Sequence, residues 1–334
     1  MKASIIRIYT IFILRNKEFY RDKGTLGWTF LFPFLVILGF GYMFDMGDKG
    51  QYKMGIVENK NAPQSRHLSV IKYGTLKQAL HKLKNHQLDI VYDEHQYWVQ
   101  STSPAGKIAE DLLLYSMSNS NNTVLKKNIV KGREIKYIDW LFPGLITLNV
   151  MWMALWGVGW VIVRQRKMGV LKRFKASPLK PFEYLTAQML SRLLILALTG
   201  SILFIGGHFI YPFQTNGSYL VLFIYYLLGC LSLSSLGLLV AARISSDEFA
   251  NGIINLFSYP MMFLSEIWFS LEGSPMWVKS IAKFMPLWHM THGLREIMTN
   301  GLGLKELFPS IVFLTAVTAL CLAFGSYFFK WVKD

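Results

Sequence analysis

The sequence is short of cysteine and of acid. It has 2 cysteines in 334 residues, Cys230 and Cys321, each inside an apolar run. They provide neither a disulfide framework nor metal-ligand spacing. Asp and Glu number 20 against 35 Lys and Arg, and the acids avoid the centres of the long apolar runs. That argues against a proton-relay pump, which keeps carboxylates at membrane depth. No G-x-x-x-x-G-K-[ST] occurs, so the chain has no phosphate-cradling loop of its own. G-x-S-x-G and H-E-x-x-H are also missing, which excludes a nucleophile elbow and a zinc-protease helix. No catalytic residue, metal site or cofactor is expected in the chain itself.

Apolar surface is what the sequence has in excess. Hydrophobic residues make up 52% and aromatics 15%, too much for an ordinary soluble domain. The net charge of +15 points to nucleic acid in a soluble protein. Here the basic residues flank apolar runs, so membrane lipid explains them and no nucleic-acid partner is expected.

The uncharged runs are long. Thr25–Phe44 has 20 residues, Trp140–Val163 has 24, Leu193–Ala242 has 50, and Leu307–Phe329 has 23. Turn formers at Tyr211–Ser218 split the longest in two. Phe249–Ser265 adds 17 and continues past Glu266 to Leu271. A helix needs about 20 apolar residues to cross the hydrocarbon. Six spans are predicted, over residues 25–45, 140–163, 184–210, 218–242, 249–271 and 307–330. The first carries Pro33 and no small-x-small cleavage site follows, so it reads as an uncleaved helix. Basic residues in the short loops set the orientation. Residues 1–24 hold six and Arg164–Glu183 hold seven, against an uncharged loop at 211–217 and four across 272–306. Both termini and the 164–183 loop are therefore placed in the cytoplasm.

Three segments are not spans. Residues 1–24 read as a helix lying at the inner membrane surface, with Arg7, Arg15, Glu18 and Asp22 on one face and Ile5, Ile8, Phe12 and Phe19 away from it. Residues 46–139 read as a small α+β domain outside the membrane. Strands are expected at Tyr52–Glu58 and on either side of Asp93-Glu94, and helices over Gly74–Gln87 and, with a polar break, Ala105–Val130. His67, His81, His86 and His95 lack metal-ligand spacing and read as surface residues. The sequon Asn121-Asn122-Thr123 carries no weight here. Residues 272–306 are apolar but broken by Pro275 and Pro286. They suit a re-entrant outer gate, since irregular backbone at membrane depth must be covered by protein or line a cavity. Glu266, Trp288, His289, His292, Arg295 and Glu296 lie on or beside it, lining an exit path or pairing internally. Arg192 is expected to snorkel to the interface. Asn149, Asn255 and Ser232, Ser234 and Ser235 are expected to make interhelical hydrogen bonds.

The stretch Arg164–Leu179, "RQRKMGVLKRFKASPL", resembles the signature of ABC-transporter permeases of the type-2 export class. That signature runs R-E-R-x-G-T-L-x-R-L-x-x-[ST]-P-L between the second and third helices. Arg164, Arg166, Gly169, Leu171, Arg173, Ser177, Pro178 and Leu179 match it, whereas Gln165 and Lys167 replace its acids. Arg21–Phe44 is similar to the family's first helix with its internal proline. Phe263–Gly301 is similar to the segment after the fifth, F-L-S-G…P-L…P-x-W…P-L-x-x…R, with Glu266 where a small residue is usual.

The resemblance implies an α-helical polytopic membrane protein. It agrees with the six transmembrane helices and N-terminal interfacial helix read from the residues, but leaves out the small extracytoplasmic α+β domain between helices 1 and 2, which rests on the residues alone. It also implies a dimer with an identical or sibling permease in a bacterial inner membrane, and two copies of an ATP-binding subunit carrying ATP and Mg. The 164–183 loop becomes the coupling element through Arg164, Arg166, Lys167, Gly169, Leu171, Lys172, Arg173 and Pro178. The helix carrying Arg7, Arg15 and Glu18 becomes the connecting helix. The function implied is export of a hydrophobic or amphipathic substrate: a drug, a lipid or a lipid-linked glycan. The alternative is a membrane-anchored sensor or assembly factor acting through the external domain.

Overall fold

Without water, a backbone must satisfy its own N–H and C=O groups, and long apolar runs do so as helices. The computed structural model describes residues 2–45, 52–57, 67–84, 87–93, 96–100, 103–118, 125–130, 137–211, 213 and 215–331. The Asn121–Thr123 sequon, His86 and His95 lie outside them. The first elements are α1 (Lys2–Arg21), α2 (Lys23–Asp45), β1 (Tyr52–Val57), β2 (Leu68–Tyr73), α3 (Leu76–Lys84), β3 (Ile90–Asp93), β4 (Gln96–Gln100), α4 (Pro104–Ser118) and β5 (Lys126–Val130). A long rod follows: α5 (Tyr137–Ala154), a π-helical segment (Leu155–Trp160) and α6 (Val161–Lys167). Then come α7 (Val170–Lys175), α8 (Pro181–Ile210), α9 (Tyr219–Ala241), α10 (Asp247–Leu264), α11 (Met276–Ala282), α12 (Pro286–Asn300) and α13 (Phe308–Tyr327). Two units result: Met1–Tyr42 with Ile138–Phe269 and Met276–Asp334, and Met43–Tyr137 with Ser270–Pro275.

In the helical unit α9 packs against α8, α12, α13 and the π segment. Four helices among the described residues are long and apolar enough to cross a membrane: Asp139–Lys167, Pro181–Ile210, Tyr219–Ala241 and Phe308–Tyr327. The protein is thus a polytopic membrane protein. The other two expected spans fall on α2, of which Lys23–Gly39 is the apolar part, and on α10. The latter stops at Leu264, short of the expected end at 271. Glu266 there takes φ +54, the only positive φ of a non-glycine residue among those described. The second span also differs from expectation. It runs on to Lys167 through one π turn, where a plain α-helix ending at Val163 is predicted.

The other unit is a five-stranded sheet in the order β2-β1-β3-β4-β5. β3 and β4 pair antiparallel and the remaining neighbours are parallel. One buried cluster joins Met54, Ile56, Ile90, Tyr97 and Val99 to Ala109 and Leu113 of α4. The second joins Leu88 and Val91 to Ala79 and Leu83 of α3. Tyr97 donates to Glu110 at 2.7 Å, and burial with that bond pushes its hydroxyl up to about 12. The helix expected over Ala105–Val130 ends at Ser118, and "KKNIV" instead becomes edge strand β5, because β4 offers it a parallel partner. Strand β2 is a further element not foreseen. The stretch Ser270–Pro275, far along the chain, belongs to this unit. Its Glu272 pairs with Lys82 at 2.7 Å and accepts from Tyr73 at 3.4 Å.

Candidate functional site

The basic stretch after the second span divides by physical role. Gly169 takes φ +74, a left-handed conformation that turns the chain sharply from α6 into α7. Arg166 points inward and is buried. It donates to the carbonyls of Ala241 (2.8 Å), Ala242 (3.2 Å) and Lys330 (3.0 Å) and to that of Ile244, and so closes the C-terminal end of α9. Leu171 is fully buried in the same core. Gln165, where the resembled signature has an acid, is buried and accepts from Tyr184 at 2.7 Å. Lys167 is half-exposed and pairs with Asp247 at 3.0 Å and Glu248 at 3.6 Å, at the start of α10. Arg164 lies 4.9 Å above the Trp160 ring. Lys172, Arg173 and Lys175 on α7, with Pro178 behind them, are exposed. Those three cations have no ion pair among the described residues. The segment therefore holds one structural arginine and one exposed basic face.

The face of α1 carrying Arg7 and Arg15 turns toward α8. Arg7 forms a two-pronged bond with Glu183, at 2.8 and 2.6 Å, and Ser4 donates to the same carboxylate. Arg15 donates to Gln188 at 2.7 Å and pairs with the more exposed Glu18. Ile5, Ile6 and Tyr9 face outward. Ile8 and Phe12, with Ile11, pack on the helical core. Asp22, between α1 and α2, accepts from the Thr25 hydroxyl at 2.5 Å and its N–H at 3.0 Å. Those bonds hold its carboxyl below the usual range.

Of the outer residues, Arg295, Glu266 and His289 bond within the helical unit. Arg295 is buried, stacks 3.9 Å from the Trp140 ring, donates to the Glu266 carbonyl at 2.7 Å, and lies 3.8 Å from its carboxylate. His289 bridges Ser310 (3.0 Å) and the Lys283 carbonyl (2.8 Å). Trp288 stacks on His292, and Glu296 accepts from Asn300. None of the six lines either of the two cavities of the helical unit described here.

The larger cavity, about 990 Å³, lies between α1, α2, the α5–α6 rod and α8. One wall is a row of tryptophans, Trp152, Trp156 and Trp160, ending in Arg164. The spacing is four residues throughout. On a plain α-helix each such step drifts by about 40°. The π segment, with its longer turn, offsets part of that drift and keeps the row facing the cavity. The opposite wall is Gln188, Ser191, Arg192 and Ile195, neighbours on one face of α8.

Arg192, expected to snorkel, is instead buried at 8% exposure and donates to the Gly157 carbonyl at 2.6 Å. A Cβ at Gly157 would fall 1.8 Å from its Nη2, so only glycine admits the guanidinium there. The W-x-x-x-W-x-x-x-W-x-x-x-R spacing is the sequence signal for this wall. Of the expected interhelical polar contacts, Asn149 bonds the Thr29 carbonyl at 3.1 Å. Ser235 turns back to Ser232 on its own helix, and the hydroxyls of Ser232 and Ser234 have no partner among the described residues.

A family model described as "ABC-2 family transporter protein" matches residues 23–327. Among curated proteins, the chain is 22% identical over 207 residues to "Probable multidrug ABC transporter permease YbhR" of Escherichia coli (strain K12), covering 62% of this chain and 56% of that one. It is 26% identical over 182 residues to "Linearmycin resistance permease protein LnrN" of Bacillus subtilis (strain 168), covering 54% and 47%. It is also 23% identical over 179 residues to "Inner membrane transport permease YhhJ" of Escherichia coli (strain K12), covering 53% and 48%. The chain spans about half the length of these relatives.

Proposed function

Because the chain belongs to the ABC-2 family of transporter proteins, we propose that it is the permease subunit of an ATP-driven exporter whose ATP is bound, with Mg, by separate subunits. The observation that carries this reading is α7, a short helix set off by the Gly169 turn and presenting Lys172, Arg173 and Lys175 at the surface, without an ion pair among the described residues. A chain without a phosphate-cradling loop must receive its energy through such a surface. Acidic side chains on an ATP-binding subunit are the complementary partner.

In this reading α2, the α5–α6 rod, α8, α9, α10 and α13 are six membrane spans of a bacterial inner-membrane protein, with both termini cytoplasmic and the sheet unit outside. Two permeases, identical or sibling, pair and each docks one ATP-binding subunit. Closure of those subunits on ATP moves α7, and α1 transmits the motion to α8 through its Arg7 and Arg15 contacts. The substrate is hydrophobic or amphipathic, in keeping with relatives named for multidrug transport and linearmycin resistance.

The test is ATP hydrolysis in lipid discs by the chain co-expressed with the ATP-binding subunit encoded beside it. Lys172, Arg173 and Lys175 are changed to Glu together and compared with wild type. Co-purified subunit with hydrolysis lost in the mutant is the expected result. An ATP-binding subunit that never co-purifies overturns the exporter reading and returns attention to ligands of the sheet unit.

A further inference from the structure

The cavity between the tryptophan row and α8 has an unusual balance of polar groups. Three cations line it, Arg15, Arg164 and Arg192, against two acids, Glu18 and Asp22. Arg15 is paired with Glu18, and Asp22 is held by Thr25. Arg192 has no carboxylate partner among the described residues. Among those residues its single hydrogen bond goes to Gly157, and its other N–H groups are unclaimed. It lies eleven residues into α8 from Pro181, about 16 Å along the axis. A buried guanidinium at that depth is costly unless something compensates it, and such residues mark ligand sites.

Two further donors belong to residues lining the same cavity and make no hydrogen bond of good geometry among the described residues. Gln188, 2% exposed and one turn before Arg192, receives a bond from Arg15 on its oxygen. Arginine can only donate, so the amide orientation is fixed and Nε2 is a donor; it approaches the Tyr184 hydroxyl but makes no hydrogen bond of good geometry among the described residues. Trp160 Nε1 is likewise buried and unpartnered. These free groups are all donors, so the ligand part that completes them must be an acceptor. Much of the remaining lining is aromatic or aliphatic, with the Trp152 and Trp156 rings 4.7 Å apart, Phe32 on the adjoining helix, and Met153 and Ile195 beside them.

We propose that this cavity binds an amphipathic anion. A phosphate or carboxylate head is held by Arg192, Gln188 Nε2 and Trp160 Nε1, and the apolar body lies along Trp152, Trp156 and Phe32. The inference deepens the exporter reading, and rests on it only in calling this ligand cargo; binding itself needs no ATP-binding subunit. An anionic membrane lipid and a free amphiphile share the recognised chemistry. Gly157 is the positioning residue, since a side chain there displaces the guanidinium.

The experiment measures equilibrium binding of labelled dodecyl phosphate to the full chain in phosphatidylcholine discs. Dodecyltrimethylammonium and dodecanol serve as competitors of equal chain length. Dodecyl phosphate should saturate, and neither competitor should displace it. Arg192→Gln and Gln188→Leu should each weaken binding by roughly tenfold, the usual loss for a charge-assisted bond. Arg192→Lys should recover part of it.

Discs carrying phosphatidylglycerol separate the two sources. Competition that depends on Arg192 identifies a lipid headgroup, and its absence identifies a free amphiphile; either supports the site. Displacement by the cation or the alcohol on wild-type protein overturns it without needing any variant to fold. Unchanged affinity in Arg192→Gln does the same. Lost anion binding with intact subunit-driven ATP hydrolysis counts against this site alone. Intact binding without any co-purifying ATP-binding subunit counts against the exporter alone.

Discussion

Arg166 and the three basic side chains of α7 behave oppositely, and mutation separates them. Arg166→Ala removes the side-chain donor from three carbonyls at the end of α9 and from that of Lys330 beyond α13. It should cost about 3 kcal/mol or more of stability, read as a lower melting temperature in discs. The triple Lys172, Arg173 and Lys175 to Glu variant changes only exposed groups and should stay within about 0.5 kcal/mol of wild type. Glu266 gives a finer test. Its positive φ is the conformation glycine prefers, which explains in physical terms why the resembled segment reads F-L-S-G there. Here the residue is held by Arg295. Glu266→Gly should be less destabilising than Glu266→Ala by about 1 kcal/mol, the usual cost of a Cβ in that region. At this scale the sequence was partly legible. Glycine in a basic stretch is a legible turn signal, as Gly169 shows, whereas the sequence left open whether Arg295 and Glu266 line an exit path or pair internally. Arg192 was misread, because burial of a guanidinium depends on a glycine thirty-five positions away.

Among the elements, α12 carries a pH response. Burial lowers the His289 side chain below its ordinary value of 6.5, partly offset by its bond to the Lys283 carbonyl. The folded protein thus keeps this ring neutral while the unfolded chain takes up a proton. Stability from this group is complete above pH 6.5 and is lost as the pH falls through the depressed folded value. The melting temperature should drop on acidification from about 7.5 to about 5.5, and His289→Gln should flatten the drop. A pH profile that His289→Gln leaves unchanged places the titration elsewhere. The helices themselves were readable from uncharged length and their ends from Gly, Pro and basic residues. The π segment was not, since a single wide turn leaves the hydrophobic run intact. Nor was the fate of "KKNIV", which is decided by a neighbouring strand and not by its own propensity.

For the whole molecule, the long apolar runs carried the polytopic character, and the bias of basic loops carries the proposed orientation. They do not reveal which segments close the sheet unit. Both cysteines are buried, so a membrane-impermeant maleimide should leave the wild-type chain unlabelled. That clean background allows Lys172→Cys and Lys107→Cys to report sidedness from exposed positions on α7 and α4. Intact cells should label Lys107→Cys alone, and inverted vesicles Lys172→Cys alone. Labelling of both from one face would remove the proposed orientation.

The Glu272 contact with Lys82 and Tyr73 has a consequence for how the protein is made. The strands of the sheet unit are synthesised early, but the stretch Ser270–Pro275 that completes the unit comes only after α5 to α10. The sheet unit therefore cannot reach its finished form during its own translation. A chain stalled or cut before residue 270 leaves Lys82 and Tyr73 without Glu272, and quality-control proteases meet an unfinished unit until the fifth apolar stretch has been delivered.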